Sequence, residues 1–314
     1  MGTESVMVGA IAALSAAACW AIATVLYERL GRSLPPLALN GAKGCVAIAA
    51  IAGAMALLGQ SWSVDGRAIA LLGLSGFLGI AVGDTAYFLA LNRLGARRVL
   101  LFELLVPILV TIAGSLLLGE RLPLPVWAGI GVTVGGVGWT LAEQTGAGES
   151  GADRGRSPPL DSWGMGWAVV AAIAQVAGAL LARTALAETA VLPLHSALVR
   201  LVAGTVPVLL WLAIARWTAQ PRRRTYRKPL TSRTRWRTWG AIALAALTGT
   251  FGGIWLQQTA FKYAPVGVAQ TLIATSPIFV LPVVALLGDR LSWRASIGAC
   301  VATAGVAIVA LSLV

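Results

Sequence analysis

Four charged side chains stand inside apolar runs of this chain: Lys43, Asp84, Glu103 and Arg200. A charge at the centre of a bilayer costs roughly 2.5–3.5 kcal/mol even on the mild insertion scale, so such residues face a protein interior and carry a partner or a task. Asp84, Tyr87 and Leu91 share one helical face by their i, i+3, i+7 spacing. Asp84 reads either as a proton-carrying or amine-binding carboxylate, or as a structural partner for Lys43 or a helix end. Lys43 and Arg200 read either as cations that clasp a carboxylate or phosphate from two sides, or as snorkelling residues. Lys43 lies about six residues into its run, roughly 9 Å at 1.5 Å per residue, a depth that fits both. Glu103, close to Arg97 and Arg98, reads as half of an interfacial ion pair. Trp20 sits deeper than an interfacial indole and reads as an aromatic wall or as core. Trp255, Gln257 and Gln258 add stacking and hydrogen-bonding groups, with one of the two glutamines expected to face inward. The candidate binding set is Lys43, Asp84, Tyr87, Arg200, Trp20, Trp255 and Gln258.

These residues need long helices to hold them. The 314-residue chain is 58% hydrophobic and 11% charged, against roughly 25% charged residues in soluble domains. Its apolar runs of about 18–24 residues can each cross a hydrocarbon core of about 30 Å. Ten spans are expected, near 6–27, 37–59, 68–91, 98–118, 124–142, 163–186, 195–215, 238–261, 266–287 and 293–313. The fold class is an all-α polytopic membrane protein. The first run is long enough to be a true span rather than a cleaved leader. Several tryptophans, among them Trp163, Trp211 and Trp239, mark span ends, where indole suits the interface. Net charge is +12, but nine basic residues crowd between Arg216 and Arg237. That pattern fits the cytoplasmic bias of membrane loops, with anionic lipid as a secondary partner, and gives no case for nucleic acid. Cys19, Cys45 and Cys300 lie in apolar runs without a CxxC pair, and His195 stands alone as the one histidine, so no metal site is expected. No phosphate loop, GxSxG or HExxH motif occurs, and the glycines near 129–136 follow no strand. No cofactor and no enzymatic chemistry are expected.

The chain also repeats itself. "GERL" at 119–122 returns as "GDRL" at 288–291, and Pro107, Ala90 and Gly83 return as Pro277, Ala260 and Gly253. Lys43 falls opposite Arg200, while Asp84 has Ile254 opposite it. Two five-helix units follow, over 1–142 and 163–314, joined by a Gly/Ser/Pro-rich linker over 143–162. Five is odd, so the second unit must enter the membrane inverted. Basic residues agree: odd-numbered loops hold 18 and even-numbered loops only Arg67, Arg121, Arg183 and Lys262. The odd loops, and the long basic segment with them, are therefore expected in the cytoplasm. Inverted repeats suit alternating access to a midplane site, as in many secondary transporters. "GERL" and "GDRL" are read as equivalent interfacial stops in which the acid and the adjacent arginine pair. Pro107 and Pro277 read as hinges or as plain kinks.

The stretches "GDTAYFLALNRLGA", "LLVPILVTIAGSLLLGERL" and "LIATSPIFVLPVVALLGDRL" resemble the drug/metabolite transporter superfamily, in its EamA-like branch. The resemblance covers nearly the whole chain. It implies ten helices around a central cavity, with spans five and ten outside. Those two spans carry "GIGVTVGG" (129–136) and "GACVATAG" (298–305), read as a packing seam within the chain or as a homodimer face. The resemblance also implies a secondary active transporter in the inner (plasma) membrane. It would move a small polar metabolite, such as an amino acid, outward, and proton coupling through Asp84 is the expected drive. A flippase for a lipid-linked substrate is the alternative.

Overall fold

The computed structural model describes residues 3–31, 36–94, 99, 102–148, 161–218, 232–286 and 293–312. Its elements are all helical, and no strand occurs among the described residues. Spans one and two are Thr3–Gly31 and Pro36–Leu57, span five is Leu124–Gly148, and spans six and seven are Ser162–Glu188 and Pro193–Thr218. Span ten is Trp293–Leu311. Among the described residues, eight helices are long and apolar enough to cross a membrane, and two shorter apolar helices stand at the fourth and tenth positions. The chain is thus an all-α polytopic membrane protein. Helix five runs on to Gly148, so the first residues of the expected linker are helical. The "GDRL" repeat and most of the basic 216–237 segment lie outside the described residues.

Spans three, four, eight and nine are not simple helices. Span three is Gly66–Gly76, a π-helical turn Phe77–Gly83, and Asp84–Leu94. Span eight repeats this as Ser232–Ala245, a π turn Ala246–Gly252, and Gly253–Tyr263. The two π turns are offset by 169 residues, one less than the shift that aligns Gly83 with Gly253. At either register the second unit offers Gly253 or Ile254 opposite Asp84, never a carboxylate. Span nine is split into Val266–Ile273 and Ser276–Leu286, and span four has its described helix at Leu105–Leu117 after a turn at Leu104. Pro277 and Pro107 each stand three residues beyond such a break. A proline removes the hydrogen bond to the carbonyl four residues before it, which frees those of Ile273 and Glu103.

Equivalent helices pack antiparallel, as inverted units require. Spans five and ten meet at two glycine pairs. A Cβ on Gly129 would lie 3.0 Å from the Gly305 carbonyl, and one on Gly136 would lie 2.7 Å from that of Gly298 and 2.3 Å from the Ala302 nitrogen. Thr133 and Thr140 donate to their own helix carbonyls at 2.8 and 3.0 Å, so no hydroxyl is left unpaired at this seam. Gly129 and Gly136 therefore face Gly305 and Gly298 within one chain, while Gly131 and Gly135 have nothing within 4 Å of a Cβ and lie outside this contact. Span one likewise crosses span eight, where Cβ atoms on Gly249 and Gly253 would strike Ala23 and Trp20. The equivalent crossing of span six with span three brings Gly178 against Gly79.

Chain ends of the helices are capped by nearby acids. Asp65 accepts from the Ala68 amide at 2.6 Å, and Asp161 from the Trp163 amide at 3.1 Å. Arg93 donates to Asp161 at 3.1 Å, which holds that carboxyl below the usual aspartate range. Gly119 takes φ +65°, a left-handed turn that ends span four and folds Glu120 back over it. Glu120 is then bonded to Arg183 of span six at 2.9 Å, not to the adjacent Arg121. The reason is reach: the reversed turn aims Glu120 into the bundle and leaves Arg121 exposed.

Packing at the five–ten seam is testable with two substitutions on one helix. Gly136→Val should destabilise the protein by about 1–3 kcal/mol, the usual cost of overpacking. Gly131 has nothing within 4 Å of its missing Cβ, and Gly131→Ala should stabilise by up to about 1 kcal/mol through helix propensity. Thermal unfolding of the purified variants in detergent checks both signs.

Candidate functional site

A cavity of about 570 Å³ opens between the two units. Spans one to three contribute Trp20, Tyr27, Lys43 and Asp84, and the π turns contribute Gly79, Ile80, Gly249 and Thr250. Spans four and nine border it at their breaks, with Glu103 and Pro107 on one side and Ile273 and Pro277 on the other. The two carbonyls released by the prolines thus belong to cavity-lining residues. Among the described residues the lining extends toward the odd-loop ends of the spans, at Tyr27, Tyr87, Glu103 and Leu141.

Charge is concentrated here. Lys43 Nζ lies 3.9 Å from Asp84 Oδ2, an ion pair too long for a hydrogen bond. The same ammonium lies 5.6 Å from the centre of the Tyr27 ring, within the range of a cation–π contact. Tyr27 is itself fixed, donating to the Ala245 carbonyl at 2.9 Å beside the Thr250 hydroxyl. Its acceptor is the last residue before the second π turn.

Arg200 is 4% exposed and enters from span seven. Its Nη1 donates to Gln257 Oε1 at 3.3 Å. Gly79 makes room for the guanidinium, since a Cβ there would lie 3.5 Å from Nη2. Gly76 lets the two backbones touch, with its missing Cβ only 2.2 Å from the Arg200 carbonyl. Arg200 Nε and Gln270 Oε1 are buried and have no hydrogen-bond partner among the described residues. Buried polar atoms of this kind are uncommon, because each forfeits its hydration. A polar ligand in the cavity can supply what they lack.

Of the expected set, Trp20, Lys43, Asp84, Tyr87 and Arg200 line the cavity. Trp255 and Gln258 do not. Gln258 is fully buried and accepts from the Ser196 hydroxyl at 2.8 Å. Trp255 is 39% exposed and stacks on Phe251 at 6.1 Å. Successive helix positions turn by about 100°, so Gln257 alone of the three reaches the cavity. Glu103 also lines the cavity, with Asp84, and its expected partners Arg97 and Arg98 lie outside the described residues. Gln257 is the one of the two glutamines that faces inward, and Tyr27, Gln175 and Gln270 join the lining without having been expected there. Gln175 was open to inference as the lone polar residue in the middle of span six. No group of three or more metal-ligating side chains occurs among the described residues.

The geometry is that of a two-unit membrane carrier, and comparison with known proteins agrees. The sequence profile of the EamA-like transporter family matches twice, over residues 7–142 and 162–311, and the chain belongs to that family. It is therefore a membrane transporter of the drug/metabolite type. A solved structure titled only "Crystal structure of protein" shares the fold, with a TM-score of 0.74 at 17% identity over 99% of this chain and 98% of that one. No curated protein matches the chain.

The two glutamines separate fold from function. Gln258→Ala should lower stability by about 1–3 kcal/mol, because it opens a void and strands Ser196. Gln257→Ala should leave the melting temperature close to that of the parent and reduce transport severalfold. Paired melting and transport assays on the two variants check the split.

Proposed function

We propose that this protein is a secondary active exporter of small zwitterionic metabolites, amino acids and related compounds among them, working by alternating access. The observation that carries the reading is the convergence of Lys43, Arg200, Asp84 and Glu103 on one cavity. Its volume falls within the roughly 300–1,000 Å³ of small-molecule sites. Arg200, with Nε unpaired and its fork steadied by Gln257, is placed to hold a carboxylate. Asp84, Glu103 and the carbonyls freed by Pro107 and Pro277 are acceptors for an ammonium group. Trp20, Tyr27 and Tyr87 give apolar walls with polar tips.

Asp84 is also the residue we assign to proton coupling. Its partner Lys43 is held loosely, so substrate or a proton can replace it. The site of action is the plasma membrane, with the odd loops in the cytoplasm by their charge. The flippase alternative has one observation behind it. A groove of about 260 Å³ faces outward between spans three, six and seven, walled by Phe77, Trp167 and Trp211. None of its lining residues borders the cavity, so it favours contact with a lipid tail rather than a route for a headgroup.

The test is untargeted mass spectrometry of medium and extract from cells that express the chain. The expected result is a zwitterion that accumulates outside with the parent protein and not with an equally expressed Arg200→Ala, Asp84→Asn double variant. In proteoliposomes, Asp84→Asn should abolish proton flux coupled to that compound. Proton flux that persists unchanged in Asp84→Asn would remove the residue from the coupling scheme.

A further inference from the structure

We infer that Glu120 and Arg183 form the latch of a gate that closes the cavity on the even-loop face, and that this latch must release before the cavity can open there. The inference rests on the alternating-access reading above.

The latch joins the two units. Glu120 belongs to the first, at the end of span four. Its carboxylate accepts from Arg183 Nε at 2.9 Å and from the Val266 amide at 2.9 and 3.2 Å. Val266 opens the first helix of span nine, so the carboxylate caps that helix where its unpaired amides and positive dipole end lie. Arg183 Nη1 donates to the carbonyls of Phe261 and Lys262 at 2.7 and 3.1 Å, at the other end of the same hairpin. One acid and one arginine therefore satisfy both sides of the turn at Ala264–Pro265. Glu120 and Arg183 side chains are only 10% and 8% exposed. Lys262 extends the same network by donating to the Val191 carbonyl at 2.6 Å.

Beneath the latch the chain is packed shut. A Cβ on Gly114 would lie 2.8 Å from Val266 Cγ1, and one on Gly267 would lie 2.3 Å from Thr111 Oγ1, so spans four and nine touch at their even-loop ends. Span one closes on the turn as well, with a Cβ on Gly9 falling 2.7 Å from the Ala264 nitrogen. The largest apolar core, which includes Leu72, Val110, Phe261 and Val266, fills this side. On the other side of the same crossing, spans four and nine border the open cavity at Leu104, Pro107, Pro277 and Val280. The same two spans thus meet tightly at one face and part to border the cavity toward the other. A static brace would not require that difference, whereas one of two alternating states does.

The latch is an economical point of control because its bonds are charge-assisted and shielded from water, and those are the strong ones. Removing the charge while keeping the shape should weaken the closed state without removing the side chain. Glu120→Gln does this. Arg121, exposed and outside the network, supplies the control.

The experiment uses the full chain in sealed vesicles, with Cys19, Cys45 and Cys300 changed to serine and one reporter, Gln270→Cys, in the cavity wall. A membrane-impermeant maleimide is applied to each face in turn, and Trp62→Cys in the second loop identifies the even-loop face. With the latch intact, the reporter should react from the odd-loop face and very slowly from the even-loop face. Glu120→Gln should raise even-face labelling about tenfold, the effect of a change of about one decade in the gating equilibrium, and Arg183→Gln should do likewise. Arg121→Gln should change nothing. Even-face labelling that stays flat in Glu120→Gln, with the melting temperature near the parent's, would make the pair a fixed brace and overturn the inference. An equal rise from both faces would also overturn it, because it reports loosening rather than gating. The labelling needs no substrate, so a substrate screen that fails leaves this result standing, and the reverse holds too.

Discussion

Lipid tails are as apolar as leucine, so helices in a bilayer gain little from hiding apolar surface and must be held by close contact and by hydrogen bonds. Everything else in this protein depends on where that closeness is achieved. At the five–ten seam it is backbone against backbone, through Gly129, Gly136, Gly298 and Gly305. The seam fixes the two units to each other, and span five also reaches the cavity from it through Val137 and Leu141, so it does not stand wholly outside. The crossings of span one with span eight and of span three with span six are equally tight, yet they surround the cavity.

The second constraint is that polar backbone cannot be left bare at membrane depth unless it faces a cavity. The breaks in spans four and nine obey it. Each falls at residues that line the cavity, Glu103 and Leu104 in span four and Ile273 and Ala274 in span nine. The π turns obey it in another way. They keep their helical bonding but widen one turn, a feature common at functional sites, and so carry Gly79 and Gly249 close against spans six and one. Span three can then bring Asp84 to the cavity while its backbone rests on that of Arg200.

Much of this was legible in the sequence because membrane helices leave few ways to place a charge. Lys43, Asp84 and Arg200 stood out from apolar runs, and the repeat with its opposite loop charges implied inverted units before any coordinates were known. What escaped has physical causes. Gln257 and Gln258 differ by one helical step, and no periodicity in a helix this apolar says which faces inward. Glu103 sits beside Arg97 and Arg98 in sequence, which suggests an interfacial pair and gives no hint that the carboxyl also lines the cavity. The pairing of Glu120 with Arg183, 63 positions away, depends on the left-handed turn at Gly119 and on a helix end from the other unit. The glycine of "GERL" permits that turn, but its four letters say nothing of the helix end from the other unit. The π turns have no signal beyond a surplus of glycine.

Asp84 has no counterpart in the second unit, whichever register is taken. Two separate five-helix chains assembled head to tail would carry that acid twice, at mirrored places, and any dipolar guest would have two equivalent ways to lie between them. Joining the units in one polypeptide lifts this restriction, since each half can then change alone. Asp84 and Glu103, both carried by the first unit alone, give the cavity a head and a tail. A guest with unlike ends is thereby given one preferred orientation, and the pathway acquires a direction in space that its near-twofold architecture does not supply.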